Sequence, residues 1–251
     1  MTLALLGFAL GTVWASFTQA ALGRIAQGQS LGGWSQCDHC QTRLGPLELV
    51  PVVGWLWLKG RCRHCQGGIA VQYPLFEFCN GLLLALAVWG QTPAWPLLLQ
   101  LLVLQGLIAL AYEDAVRGEV PLFLVFFCLL AAGAKIYLTG SDLLHPLTSL
   151  LWGAGGMFWI RTLYFYVRGQ EGLGEGDVSL LGLLGFLLGA EALIPLVFVA
   201  SLAAALFSLL QLARNTKGLQ SQIAFGPWLI GTGLVFLLFP AIPRGLALGA
   251  G

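Results

Sequence analysis

Charge is what this sequence has least of. Only 9% of its 251 residues are Asp, Glu, Lys or Arg, while 58% are hydrophobic; a soluble domain is roughly a quarter charged. So few polar groups cannot cover a water-facing surface. That excludes an ordinary soluble domain and leaves lipid as the covering medium. The 12 basic and 11 acidic residues nearly cancel, and no basic patch suggests a nucleic-acid partner. No Lys or Arg precedes the first apolar stretch, the reverse of a cleavable signal, so that stretch reads as a retained anchor. There is no low-complexity tract, no evident internal repeat and no GxGxxG dinucleotide fingerprint.

What is present is a series of apolar stretches near 3–22, 73–90, 95–112, 120–138, 145–166, 178–190, 193–212 and 223–243. Most approach the roughly 20 residues that a membrane helix needs. The run 178–213 is too long for one span, and Glu191 and Pro195 interrupt it. Basic residues favour the cytoplasmic side. With eight spans, ten of the twelve face that side: Arg24, Arg43, Lys59, Arg61, Arg63, Arg117, Arg161, Arg168, Arg214 and Lys217, leaving Lys135 and Arg244 opposite. The expectation is an all-α polytopic membrane protein of about eight transmembrane helices, with both termini outside. It divides into a first helix (1–22), a cytoplasmic loop (23–72) and a transmembrane catalytic part (73–251).

The loop carries Cys37-Asp38-His39-Cys40 and Cys62-Arg63-His64-Cys65. A CxxC turn lets two thiolates grip one metal, and two such turns complete a closed, structural zinc site of four cysteines. Two disulfides or free thiols are the alternative; a cytoplasmic loop meets a reducing environment, which disfavours the disulfides. His39 and His64 are alternative ligands but read rather as surface residues, and Cys79 and Cys128, within spans, as small packing residues.

Carboxylates near a membrane interior are costly and tend to be functional. Asp114 follows Tyr112-Glu113, and Asp177 closes Gly174-Glu175-Gly176-Asp177. Both fall at cytoplasmic ends of spans. Two carboxylates sharing a proton can hydrolyse a peptide, one as base toward water and the other as acid. Gly174 and Gly176 would let a substrate backbone approach Asp177. Glu113, Glu119, Glu171 and Glu175 read as ordinary charges near helix ends, with Glu113 the one that could substitute for, or perturb, Asp114. Gly182, Gly185 and Gly189 suggest a close helix contact behind Asp177.

These motifs together resemble the type IV prepilin peptidases, GxGD membrane aspartic proteases that are also N-methyltransferases. Ser16-Phe17 and Arg24, the four cysteines, Lys59-Gly60-Arg61-Cys62-Arg63, Tyr73-Pro74-Leu75-Phe76-Glu77, Asp114 with Val120-Pro121, Gly174 to Asp177 with Leu180-Leu181, and Phe225-Gly226-Pro227 carry the resemblance over nearly the full length. The chain departs from the family pattern at Gln19, Glu113 and Ser179, and in the glycine-rich stretch Gln29-Ser30-Leu31-Gly32-Gly33-Trp34.

The resemblance implies an enzyme of the bacterial inner membrane. It cleaves leader peptides from prepilins of type IV pili or pseudopilins of type II secretion at the cytoplasmic face. It then methylates the new N-terminus with S-adenosylmethionine. Asp114 and Asp177 would be catalytic, Cys37, Cys40, Cys62 and Cys65 would hold zinc, and Gly174 and Gly176 would lie near substrate. Two other readings compete: a non-catalytic scaffold or transporter with a zinc-stapled loop, and a presenilin-like GxGD peptidase with other substrates and no methyl transfer.

Overall fold

The computed structural model describes residues 2–30, 32–89, 95–169, 174–213 and 224–242. Glu171, Arg214, Lys217, Arg244 and Leu31 lie outside them. The described residues are helical throughout, joined by turns and loops, with two isolated β-bridges and no strand. The helices are α1 (Thr2–Ala26), α2 (Val53–Trp57), α3 (Gln72–Val88), α4 (Trp95–Arg117), α5 (Leu122–Leu138), α6 (Leu144–Arg168), α7 (Glu175–Leu188), α8 (Leu193–Ala213) and α9 (Gly226–Leu238), with one 3-10 turn at Ala190–Ala192 before α8.

Each apolar stretch holds a helix. Among the described residues, three helical segments are long and apolar enough to cross a membrane: Thr2–Ile25, Trp95–Arg117 and Ala190–Ala213. Helices α3, α5 and α9 are apolar but shorter. The run 178–213 is broken, as its interruptions suggest. Gly189 ends α7 at φ +93, a backbone angle that side chains rarely adopt, and the chain restarts through the 3-10 turn.

The chain forms two compact units, Met1–Pro93 and Ala94–Gly251. In the first, α1 packs along α3 through glycine. A Cβ on Gly11 would stand 2.8 Å from the Asn80 carbonyl oxygen, and one on Gly81 would stand 2.7 Å from Thr12 Cγ2. Small residues let membrane helices approach closely enough for backbone-to-backbone packing. Phe8 and Phe78 close the contact edge to face, with ring centroids 5.7 Å apart.

In the second unit α7 is the core element. It packs against α5, α6 and α9, and every residue from Leu180 to Phe186 is buried. A helix that is apolar all round belongs inside a bundle. Gly182 and Gly185 make the close contact with α6 that the sequence suggests. A Cβ on Gly182 would lie 3.0 Å from Ala154 Cβ, and one on Gly185 would lie 2.5 Å from the Ser149 carbonyl oxygen. Gly189 serves the helix end instead. Outward faces stay apolar, with Leu122, Phe123, Phe126, Leu151, Trp152 and Phe198 all exposed, as lipid contact requires.

Candidate active site and candidate metal centre

Both aspartates belong to the second unit. Helix α4 continues past the apolar stretch to Arg117, which places Glu113 and Asp114 in its last turns and buries both. Gly118, at φ +68, then ends the helix and donates its N–H to the Asp114 carbonyl at 2.9 Å. Asp177 lies in the first turn of α7, half-buried, and its N–H reaches the Gly174 carbonyl at 3.3 Å. The two carboxylates are within electrostatic reach of each other.

Three sequence motifs meet around this pair, each by a glycine contact. The Gly226 backbone faces the Asp114 carboxylate. A Cβ there would stand 2.5 Å from Asp114 Oδ2 and 2.8 Å from Leu180 Cδ1. A Cβ on Gly176 would stand 2.5 Å from Val120 Cγ2. The second glycine of the GxGD motif thus lets α7 settle against the Val120-Pro121 segment, a packing role that the motif by itself does not reveal. Gly174 is the freer of the two, exposed at the helix cap with Asp177 Oδ2 3.6 Å from its Cβ position.

Glu113 sits beside Asp114 in sequence but is engaged elsewhere. Its Oε2 accepts a hydrogen bond from Arg117 Nη1 at 2.5 Å, one helical turn on. Its Oε1 is buried without a hydrogen-bond partner among the described residues. Glu175 is mostly exposed and pairs with Arg161 across α6 and α7 at 3.0 Å.

The first unit brings the four cysteines together. Their sulfurs all lie within 4.8 Å of one another, with Cys37 and Cys65 Sγ 3.8 Å apart and Cys40 and Cys62 Sγ 4.0 Å apart. A disulfide needs about 2.05 Å, so these are thiols. A tetrahedral site with metal–sulfur bonds of about 2.3 Å has sulfur–sulfur edges of roughly 3.8 Å. The cluster therefore fits a metal such as zinc. The Thr42 hydroxyl and backbone hold the Cys40 thiol down at about 6. Backbone N–H groups of Cys65 and His64 lower that of Cys62. Both favour the thiolates that a metal requires. His39 Nε2 lies 3.4 Å from the Gly68 carbonyl, outside the sulfur cluster. Cys128 is fully buried in the second unit, consistent with a packing residue, but Cys79 is exposed on α3.

The two CxxC turns are copies of one another, contrary to the expectation of no repeat. Cys37 N–H bonds the Thr42 carbonyl and Gln41 N–H the Cys37 carbonyl; Cys62 N–H bonds the Gly67 carbonyl and Gln66 N–H the Cys62 carbonyl. Gln41 and Gln66 both take left-handed angles, φ 58 and 57. The repeated unit is only Cys-x-His-Cys-Gln, too short to stand out by pattern alone.

A second polar element of this unit escapes a reading by sequence. Glu77 of α3 is buried, and its Oε2 accepts the Val52 N–H at 2.7 Å. Ser16 of α1 also reaches this carboxylate. Val52 is held at φ +61, an outlier for a β-branched residue. A glutamate in an otherwise apolar span is the available signal.

Comparison with known proteins fits this geometry. The Bacterial Peptidase A24 N-terminal domain matches residues 9–91, and the Type IV leader peptidase family matches residues 101–209. A prepilin leader peptidase/N-methyltransferase of Aeromonas salmonicida (strain A449) is 35% identical over 209 residues, which is 82% of this chain and 71% of that protein. The chain belongs to the type IV leader peptidase family. A Dickeya chrysanthemi protein of the same name is 36% identical over 208 residues, 81% of this chain and 72% of its own. One from Burkholderia pseudomallei (strain K96243) is 36% identical over 209 residues, 82% and 67%. No solved structure matches the chain. Membership in this family makes the protein a membrane aspartic protease, and the motifs that converge on Asp114 and Asp177 are those that the sequence resemblance singles out.

Proposed function

We propose that this protein cleaves the leader peptide of type IV prepilins or pseudopilins and then methylates the new N-terminus, with Asp114 and Asp177 as the catalytic pair. The observation that carries the reading is the convergence of three motif segments on two neighbouring carboxylates at helix ends. In hydrolysis one carboxylate takes a proton from water as its oxygen attacks the scissile carbonyl. The other, protonated, donates to the departing nitrogen, so the C–N bond breaks and both products are neutralised. Burial of Asp114 keeps bulk water from one side of the pair. Gly174, open at the α7 cap, is the part of the GxGD segment best placed near a substrate backbone, with Gly176 beside it.

Residues 1–22 form the first membrane helix, 23–72 the cytoplasmic loop and 73–251 the peptidase part. Cys37, Cys40, Cys62 and Cys65 would hold zinc, which would staple the loop and take no part in the reaction. S-adenosylmethionine supplies the methyl group in the second reaction; the motifs assign no residue to it. Eight spans in the inner membrane, both termini outside, put the aspartates and the loop on the cytoplasmic face, as the distribution of Lys and Arg favours.

The test is co-expression with a candidate prepilin and mass measurement of its N-terminus. The unaltered chain should yield a shortened product carrying one added methyl group. Asp114→Asn and Asp177→Asn should each leave the precursor uncut while the variant still inserts in the membrane. Near-native cleavage by either variant would remove the pair assignment, and a cut but unmethylated product would remove the second activity.

A further inference from the structure

The loop of the first unit carries an apolar surface that its own fold leaves uncovered. Leu47, Leu56 and Trp57 are 83%, 62% and 85% exposed, and Val53 is exposed beside them. Next to them lies a cleft of about 480 Å³ lined by Trp57, Leu58, Lys59, Arg61 and Arg63, among others. Among the described residues none of these three cations has a carboxylate partner within salt-bridge distance. The one carboxylate in the cleft, Glu48, is occupied, with its Oε2 accepting the Gly45 N–H at 2.6 Å.

The position of this surface follows from a single hydrogen bond. Val52, the residue before α2, is tied to Glu77, which lies five residues into α3. At 1.5 Å per residue that is about 7.5 Å along the helix. Helix α2 is therefore held level with the second turn of an apolar helix, not beyond its end. Both ends of the loop also run into apolar helices, α1 and α3. Tryptophan and leucine at that level, bordered by Lys and Arg, match the composition of a segment lying in the lipid headgroup layer.

We propose that the α2 region of the cysteine loop docks into the cytoplasmic leaflet. Leu47, Val53, Leu56 and Trp57 enter the acyl boundary, while Lys59, Arg61 and Arg63 hold the phosphate of an anionic phospholipid. Charge complementarity commits the cleft to an anionic lipid over a zwitterionic one. The loop is then a membrane-bound element that holds its metal site against the bilayer surface.

The experiment uses the full chain in lipid nanodiscs. The emission of Trp57 is obtained as the difference between the unaltered protein and Trp57→Phe. It should be quenched by phospholipid brominated near the headgroup and shielded from aqueous iodide. At equal mole fraction, brominated phosphatidylglycerol should quench it at least about fivefold more effectively than brominated phosphatidylcholine, the preference expected of even one cation at an anionic surface. That preference should vanish in Lys59→Gln/Arg61→Gln/Arg63→Gln, with the metal content measured to confirm that the loop is intact. Iodide quenching without bromolipid quenching would place the segment in water. Protection from both would place it against protein. Equal quenching by the two lipids would remove the anionic site. Each of these results overturns the proposal.

Discussion

Gly226 presents its backbone to the carboxylate of Asp114, so closely that a single added carbon would stand 2.5 Å from Oδ2. Helix α9 begins at this residue, and its first turn therefore sets where one of the two acids can lie. A misplacement of about 1 Å can cost roughly a hundredfold in rate. Gly226→Ala should reduce prepilin cleavage by about that factor while leaving membrane insertion unchanged, as read by a cleavage time course on matched amounts of enzyme. A rate within a few-fold of the unaltered protein would show that α9 does not position Asp114.

Glu113 and Asp114 are adjacent and both buried, yet only one faces the site. Glu113 is committed to Arg117 by a charge-assisted bond. Glu113→Gln keeps the shape and one hydrogen bond, so cleavage should stay within about tenfold of the unaltered rate, the lower end of what a general acid or base contributes being about a hundredfold. Loss as deep as that of Asp114→Asn would transfer the acid–base role to Glu113.

The contact between α6 and α7 tolerates no side chain at Gly185, where a Cβ would meet the Ser149 carbonyl at 2.5 Å. Gly185→Leu forces backbone apart and should destabilise the second unit by about 1–3 kcal/mol or more. The readout is the yield of detergent-stable protein and its unfolding midpoint. Leu180 rests against the same α9 segment as Asp114, so activity should fall with stability.

Removing the metal should act on the loop alone. Metal affinity is folding energy for a small site that the unfolded chain does not hold preformed. Cys37→Ser, or treatment with a strong chelator, should raise amide exchange across the cysteine loop and leave α1 and α3 protected. The unaltered protein should contain one zinc per chain. Intact thiols with no stoichiometric metal would count against the assignment.

The apolar stretches locate each helix except α2, because membrane helices announce themselves by composition over about 20 residues. The interruption at Glu191 and Pro195 correctly marks a break, though the turn itself falls at Gly189. The cysteine cluster is legible because its spacing is local. The aspartates are legible as residues at helix ends, but their surroundings are not. That Gly226 faces Asp114 and Gly176 faces Val120 depends on contacts across more than a hundred and more than fifty residues of chain, respectively, which periodicity cannot report. The short helix α2 escapes notice because five residues are too few for a 3.6-residue pattern to repeat. Glu77 stands out only as part of a motif, and its bond to Val52 becomes visible once the loop is folded back on α3.

The duplicated cysteine turns impose an order on biogenesis. Each turn contributes two of four sulfurs, and the second arrives 25 residues after the first, counting from Cys37 to Cys62. A ribosome that has made only the first turn has produced a half-site with weak hold on any metal. By the time the second turn leaves the ribosome, α1 has already left it. Closure of the loop must wait for the second turn, and it brings the chain back just as α3 begins to emerge. A metal gripped by all four sulfurs would thus be a late fastener, joined only once the second turn is made, and a nascent chain stalled between the two turns would stay open to thiol reagents.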